Sequence, residues 1–165
     1  MTLTAKEKEL AAVGISVAAG CRPCTDYHVK AVRKAGATDT EIHHAVTTAA
    51  AVRTAAAGTM EAYGLAHLGL AEESTGPGPA GEASRIGALV SVGAALAVNC
   101  TTALKEHLAA AAAAGVTADE VTAIAALATF IKKQAASHVD RLVASQGTSV
   151  PPAQPEPAAA GCGCG

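Results

Sequence analysis

Aromatic residues and long hydrophobic runs are nearly absent from this sequence. Aromatic side chains make up 2% of the 165 residues, and there is no tryptophan. β-Strands favour β-branched and aromatic residues in alternation, and no long stretch of the chain has that pattern. The longest apolar runs, such as residues 88–98, are far shorter than the ~18 residues of a membrane-spanning helix. These absences argue against a β-sheet fold and against a membrane partner.

Neither positive nor negative charge predominates in the sequence. The formal net charge is −2 at pH 7, and no basic stripe with interleaved aromatic residues occurs, so no nucleic-acid partner is expected. Lys6, Glu7, Lys8 and Glu9 stand where a signal peptide would have a clean basic region, and we therefore expect a cytoplasmic protein. The five cysteines, an odd number, do not suit a secreted disulfide framework.

Alanine supplies much of the apolar content, and it is the strongest intrinsic helix former. The sequence also contains an internal repeat. A shift of 79 residues aligns the two halves without a gap and places Cys21 on Cys100 and His28 on His107. We predict an all-α fold, in which two tandem three-helix repeats form one helical domain.

Capping signals place the helices within each half. Thr4 with Glu7, and Thr38 with Glu41, have the spacing of capping boxes. We expect an interruption of the third helix at Gly58. The helices of the first half are expected at about 4–19, at about 23–35 and from residue 38 onward, and those of the second half at about 82–98, 100–114 and 117–144. The last helix has the apolar spacing of one buried face, at Val121, Ile124, Ala128, Ile131, Ala135, Val139 and Leu142.

Composition divides the chain into four segments. Residues 1–74 form the first helical repeat, which contains the C-x-x-C motif, and residues 75–81 are a Gly- and Pro-rich linker. Residues 82–145 form a second, degenerate repeat. Residues 146–165 are a flexible Pro- and Ala-rich tail that ends in Gly-Cys-Gly-Cys-Gly, and we expect this tail to be disordered.

Cys21, Cys24 and His28 meet at one predicted helix start. Unpaired N–H groups there stabilise a thiolate and lower the thiol pKa. His28 lies one turn beyond Cys24 on the same helix face, where an imidazole can accept the thiol proton. A second cysteine three residues away can trap an oxidised sulfur as a disulfide. The motif thus predicts a redox-active dithiol.

Metal binding is the alternative that the cysteines leave open. C-x-x-C is often half of a zinc site, and His28 with His43 or His44 would supply the other ligands. The tail dithiol of Cys162 and Cys164 is a candidate site for a soft metal ion or a tethered reductant.

No spacing pattern in the sequence indicates a partner for any of four further histidines, and we expect each to be exposed or locally capped: His43, His44, His67 and His138.

The motif and its flanks resemble the alkylhydroperoxidase D-like, or carboxymuconolactone decarboxylase-like, superfamily. The resemblance is carried by Glu9-Leu10, by Gly20-Cys21-Arg22-Pro23-Cys24-Thr25-Asp26-Tyr27-His28, by Ala35-Gly36-Ala37-Thr38 and by Glu41-Ile42. It implies a helical homo-oligomer, here a homotrimer. It also implies a proton relay in which Glu9 is the acid, His28 the base, Cys24 the attacking thiolate and Cys21 its resolving partner. Glu9 lies ~18 Å before Cys21 along its helix, and we expect side chains and a water to bridge it to His28.

The sequence departs from the family pattern at several positions. The best-known peroxidase of this family has a second histidine between the two cysteines, where Pro23 stands here. The decarboxylase branch lacks the redox cysteine pair, so lactone decarboxylation is disfavoured. In the second repeat, Ala88 and Ala103 replace the glutamate and the attacking cysteine, and we interpret Cys100 and His107 as remnants.

The predicted function is that of a thiol-dependent oxidoreductase of the alkylhydroperoxidase type. It would reduce a hydroperoxide or a related oxidant, with electrons from a thiol donor protein or a small thiol, and it would require no cofactor. One alternative is a soft-metal or metalloid binding protein that uses the C-x-x-C and the tail dithiol. The other is a non-catalytic oligomeric scaffold.

Overall fold

The computed structural model describes residues 2–70 and 84–145. These ranges form α-helices and connecting turns and contain no strand, which confirms the predicted all-α class. The predicted linker at 75–81 and the tail at 146–165, with Cys162 and Cys164, lie outside the described residues, and the four-segment division stays a prediction. The helices are α1 (Ala5–Ala18), α2 (Arg22–Lys34), α3 (Asp39–His67), α4 (Arg85–Ala97), α5 (Thr101–Ala113) and α6 (Ala118–Ser145).

Both helix starts predicted from capping boxes have the expected hydrogen bonds. The backbone N–H of Thr4 donates to Glu7 Oε2 over 2.9 Å, and the Glu7 N–H donates to the Thr4 hydroxyl over 3.2 Å. Thr38 and Glu41 make the same pair of bonds over 2.8 and 3.2 Å. Each box satisfies two backbone donors that a helix start would otherwise leave unpaired.

Helix α3 is continuous, so the predicted interruption at Gly58 is wrong. The helix runs from Asp39 to His67 through this glycine. One glycine in a helix interior costs only about 1 kcal/mol relative to alanine. Three alanines directly precede Gly58, and their high helix propensity offsets that cost.

The centre of the fold is the crossing of α1 and α4, which are buried along most of their length. Two glycines allow the close approach. A Cβ on Gly14 would lie 2.6 Å from Val90 Cγ1, and a Cβ on Gly93 would lie 2.7 Å from Ile15 Cγ1. Both opposing side chains are β-branched and stiff. The interhelical distance therefore depends on the missing Cβ atoms.

Cationic side chains from the long helices cap the ends of the central helices. Arg53 of α3 donates to the carbonyl of Ala18 over 2.9 Å, and Lys132 of α6 donates to the carbonyl of Leu96 over 3.1 Å. The last carbonyls of a helix have no intrahelical partner and carry partial negative charge. These two contacts thus fasten α3 to the end of α1, and α6 to the end of α4.

A buried carboxylate joins the start of α6 to α4. Glu120 is 2% exposed and accepts hydrogen bonds from the Thr117 backbone N–H over 2.9 Å and from the Arg85 guanidinium. Arg85 also donates to Glu7 over 3.0 Å. The backbone bond from Thr117 and the bond from Arg85 lower the pKa of Glu120 to about 2.

Among the described residues, no helix combines the length and the apolar character needed to cross a membrane.

The glycine at the α1–α4 crossing gives the first prediction. Gly14→Ala should lower the free energy of unfolding by about 1–3 kcal/mol, because the new methyl group overlaps a rigid Val90 side chain. Gly58→Ala is the matched control, since a Cβ there meets nothing within 4 Å. It should raise stability by up to about 1 kcal/mol through helix propensity. Urea unfolding measures both, and equal stability of the two variants would contradict this packing.

The second prediction concerns acid stability. The pKa of Glu120 is about 2 in the folded protein against an ordinary 4.5, so its stabilising contribution is complete above pH 4.5. That contribution is lost as the pH falls towards 2. Glu120→Gln keeps a side chain that can complete the capping box but removes the titration.

The unfolding free energy of Glu120→Gln should therefore change less between pH 4.5 and pH 2 than that of the unsubstituted protein. Glu61→Gln, on an exposed part of α3, is the control. Its unfolding free energy should change with pH as that of the unsubstituted protein does. If the unfolding free energies of Glu120→Gln and the unsubstituted protein changed equally with pH, the lowered pKa of Glu120 would be refuted.

Candidate active site

The sulfurs lie at a sharp turn between α1 and α2. Gly20 has a φ of 70° there, a conformation that L side chains rarely adopt. Cys21 follows as the N-cap of α2, and its Sγ accepts a hydrogen bond from the Cys24 backbone N–H over 3.3 Å. Pro23 lies within the first turn, where its missing N–H costs nothing. A cysteine thus occupies the cap position that serine or aspartate usually fills.

Cys21 and Cys24 are joined by a disulfide, with an S–S distance of 2.07 Å and a Cα–Cα distance of 5.3 Å. The structure therefore has this pair in its oxidised state. Cys21 is 5% exposed and Cys24 is 8% exposed, whereas Arg22 and Pro23 between them are exposed. Both cysteines are therefore mostly buried within a helix turn that reaches the protein surface.

Helix α2 buries a single stripe of side chains, and the stripe contains both Cys24 and His28. Together with Val32 these are its buried residues, spaced one turn apart. The neighbouring Tyr27 is exposed and makes an edge-to-face contact with the His28 ring, at a centroid distance of 5.0 Å. The imidazole and the sulfur therefore share a helix face, as the sequence predicts.

Glu9 of α1 contacts His28 directly. Its Oε2 lies 2.9 Å from His28 Nδ1, so the predicted bridging water is not needed. An ionised carboxylate only accepts hydrogen bonds. The ring proton of neutral His28 is therefore on Nδ1, and Nε2 is left as an acceptor. The roles of proton donor and base that the resemblance implies for this pair stay predictions.

His138 of α6 reaches the same place, a contact that the sequence did not predict. One of its ring nitrogens and the sulfurs of Cys21 and Cys24 all lie within 4.8 Å of one another. His138 is also locally held, because Arg141 donates to its Nδ1 over 3.0 Å. His28, His43 and His44, the ligands proposed for a zinc site, are not part of this group.

The apolar pattern of α6 gave no signal for His138, and it predicted a buried face that extends too far along the helix. The predicted buried face includes Val139 and Leu142, yet these are 61% and 63% exposed. The buried residues of α6 end at Ile131. Beyond that point the helix is only partly covered, and the half-buried His138 side chain lies beside the disulfide.

The equivalent place in the second half keeps the helix start, one cysteine and the histidine, but it lacks the glutamate and the second cysteine. Cys100 is the N-cap of α5, and it is a free, buried cysteine whose Sγ accepts from the Ala103 N–H over 3.5 Å. Alanine stands at 88 and 103 in place of the glutamate and the second cysteine. Burial lowers the pKa of His107 there. The interpretation of Cys100 and His107 as remnants stays a prediction.

Comparison with known proteins supports the resemblance for the first half of the chain. Residues 2–67 match the model of the carboxymuconolactone decarboxylase family. The matched segment spans α1 to α3 and includes Glu9, Cys21, Cys24 and His28. No curated protein and no solved structure matches the chain.

The third prediction tests the cysteine pairing. In a Cys162→Ser/Cys164→Ser protein that is oxidised, denatured and alkylated without reductant, one cysteine should react, because only Cys100 is free among the three that remain. After reduction all three should react. Mass spectrometry counts the alkyl groups.

Cys24→Ser in the same background is the control, and two cysteines should react in it before reduction. A disulfide that joins Cys100 to either Cys21 or Cys24 would contradict the structure.

Proposed function

We propose that this protein is a thiol-dependent redox enzyme that reduces a hydroperoxide through a dithiol–disulfide cycle of Cys21 and Cys24. The observation that carries the proposal is the disulfide at the start of α2, one turn from an imidazole that a carboxylate orients. The family match of the first half supports it at a coarser level, since it covers the segment that holds these groups.

The start of α2 favours an ionised sulfur. Backbone N–H groups of the first helical turn carry partial positive charge and point towards the cap. One of them, that of Cys24, already donates to Cys21 Sγ. A reduced cysteine here gains stabilisation of its thiolate, which is the form that attacks a peroxide.

In the first step His28 serves as the base for Cys24. Its unprotonated Nε2 accepts the thiol proton, and the thiolate attacks one oxygen of the hydroperoxide. An S–O bond forms and the O–O bond breaks. The departing alkoxide takes the proton from the His28 imidazolium and leaves as an alcohol. Glu9 stabilises the transient positive charge on the ring and keeps Nε2 directed away from α1.

In the second step Cys21 resolves the oxidised sulfur. The Cys21 thiol attacks the sulfenic acid on Cys24, which forms the S–S bond and releases water. The 5.3 Å separation of the two Cα atoms supports this step, because it lies within the range that a disulfide spans. An external dithiol then reduces the disulfide by thiol–disulfide exchange and is itself oxidised.

The fourth prediction is the activity itself. With tert-butyl hydroperoxide and dithiothreitol, the reduced protein should turn over the peroxide. Cys24→Ser should reduce the rate to the uncatalysed background, because the attacking sulfur is gone. His28→Gln should slow it by about a hundredfold or more, since the base is lost. Peroxide consumption measures both effects.

Two further variants make the test specific. Cys21→Ser should stop efficient turnover but accumulate a sulfenic acid on Cys24, detectable by trapping with dimedone and mass spectrometry. Cys100→Ser should leave the rate unchanged, because within the described part of the chain Cys100 is free and alanine stands at 103, where the second cysteine would be. A Cys24→Ser variant as active as the unsubstituted protein would refute the proposal.

A further inference from the structure

The proposed peroxide chemistry makes no use of the His138 imidazole, although this side chain lies beside both sulfurs. It comes from α6, whereas the cysteines belong to the start of α2. Two sulfurs and an imidazole nitrogen within 4.8 Å of one another form a compact set of three donor atoms. All three are of the kinds that bind thiophilic metal ions.

We infer that the reduced Cys21 and Cys24 thiolates and the His138 imidazole form a binding site for a thiophilic divalent metal ion such as Zn²⁺. The disulfide form has no thiolate to offer and cannot bind the ion. The inference rests on the proposed function at one point only, the reducibility of the disulfide. It does not require that the protein reduces peroxides.

The distances suit such an ion after reduction. Zinc binds thiolate at about 2.3 Å and imidazole at about 2.0 Å, so neighbouring ligand atoms of a tetrahedral site lie about 3.5–3.8 Å apart. Reduction breaks the 2.07 Å S–S bond, and rotation of the two side chains then lets the sulfurs separate. The nitrogen of His138, already within 4.8 Å of both sulfurs, has little distance to close.

The three ligands leave one tetrahedral position open. Three protein ligands with a water or another small ligand in the fourth position are typical of accessible zinc sites. The two cysteines lie in a helix turn that reaches the protein surface, next to the exposed Arg22 and Pro23. A bound ion would be reachable from solvent and would block attack by Cys24 on a peroxide.

The hydrogen bond from Arg141 to His138 competes with coordination of a metal ion by the His138 ring. Arg141 donates to Nδ1 of His138, so in the neutral ring the proton is on Nε2. Coordination through Nδ1 displaces this contact, and coordination through Nε2 requires the proton to move to Nδ1. Either way Arg141 must withdraw, which its exposed side chain can do. Removal of Arg141 should therefore strengthen metal binding.

The experiment uses Co²⁺ as a spectroscopic probe in the Cys100→Ser/Cys162→Ser/Cys164→Ser background, which leaves Cys21 and Cys24 as the sole cysteines. The protein is reduced with a phosphine under nitrogen and titrated with Co²⁺. We expect one ion per chain, with the visible bands of tetrahedral cobalt and a near-ultraviolet thiolate charge-transfer band. Zn²⁺ should displace it. The oxidised protein should show neither band.

Three histidine variants identify the third ligand. His138→Ala should weaken Co²⁺ binding by about tenfold or more, whereas His138→Cys should retain binding and intensify the charge-transfer band with a third thiolate. His67→Ala, an exposed histidine on α3 that hydrogen-bonds the Tyr63 carbonyl, is the matched control and should bind as the background protein does. Arg141→Ala should bind more tightly.

The results separate the metal site from the peroxidase. An unchanged affinity in His138→Ala, or the absence of both cobalt bands from the reduced background protein, would overturn the metal site whatever the peroxidase assay gives. His28→Gln should keep the affinity for Co²⁺ while losing peroxide reduction, because Glu9 holds His28 outside the donor set. A protein that binds Co²⁺ through His138 but turns over no peroxide would retain the metal site and refute the enzyme.

Discussion

The hydrogen bond between Glu9 and His28 is the contact on which the account of the site depends. It fixes the ring proton of neutral His28 on Nδ1 and so leaves Nε2 as an acceptor, which the proposed mechanism uses as its base. It also ties α1 to the buried stripe of α2 that contains Cys24. Without the Glu9 carboxylate, no hydrogen bond from α1 would fix the tautomer or the orientation of the buried His28 imidazole.

The position of Glu9 is in turn set by the core. Helix α1 is held against α4 by a crossing in which a Cβ at Gly14 or Gly93 would overlap a neighbouring side chain, and Arg53 caps the end of α1. The turn through Gly20 then returns the chain along α1, so that His28 meets a residue 19 positions earlier. The geometry of the site thus depends on packing at a distance from the sulfurs.

Comparison of the two halves of the chain distinguishes the residue that caps a helix from the residues that only the proposed chemistry uses. Cys100 caps α5 as Cys21 caps α2, with the sulfur accepting a backbone N–H in both cases. The helix starts at the same relative place although alanine replaces the second cysteine and the glutamate. A helix start with a cysteine cap therefore does not require the second cysteine or the glutamate, so helix formation alone does not account for Glu9 and Cys24.

Local signals made much of this structure predictable from the sequence. Capping boxes, the proline after Cys21 and the alanine content identify the helices, and the spacing of Cys24 and His28 places both on one face. The uninterrupted α3 was missed because a glycine signals a break only when its neighbours are weak helix formers.

His138 was missed for a different reason, since its proximity to the sulfurs is a tertiary contact between α2 and α6 that no local spacing encodes. The periodicity of α6 indicated one apolar stripe to its end, but nothing covers that stripe at Val139 and Leu142 within the described chain. Periodicity identifies a face, and only the packing of neighbouring helices decides how far along the helix that face is buried.

The most direct test of the central claim is a single turnover without any electron donor. Reduced protein with serines at 100, 162 and 164 is mixed with one equivalent of hydroperoxide, and the remaining thiols are counted. Two thiols should disappear for each hydroperoxide reduced to alcohol, and peptide mass spectrometry should find the Cys21–Cys24 disulfide. Thiols that persist, with the hydroperoxide intact, would contradict the proposed dithiol–disulfide cycle.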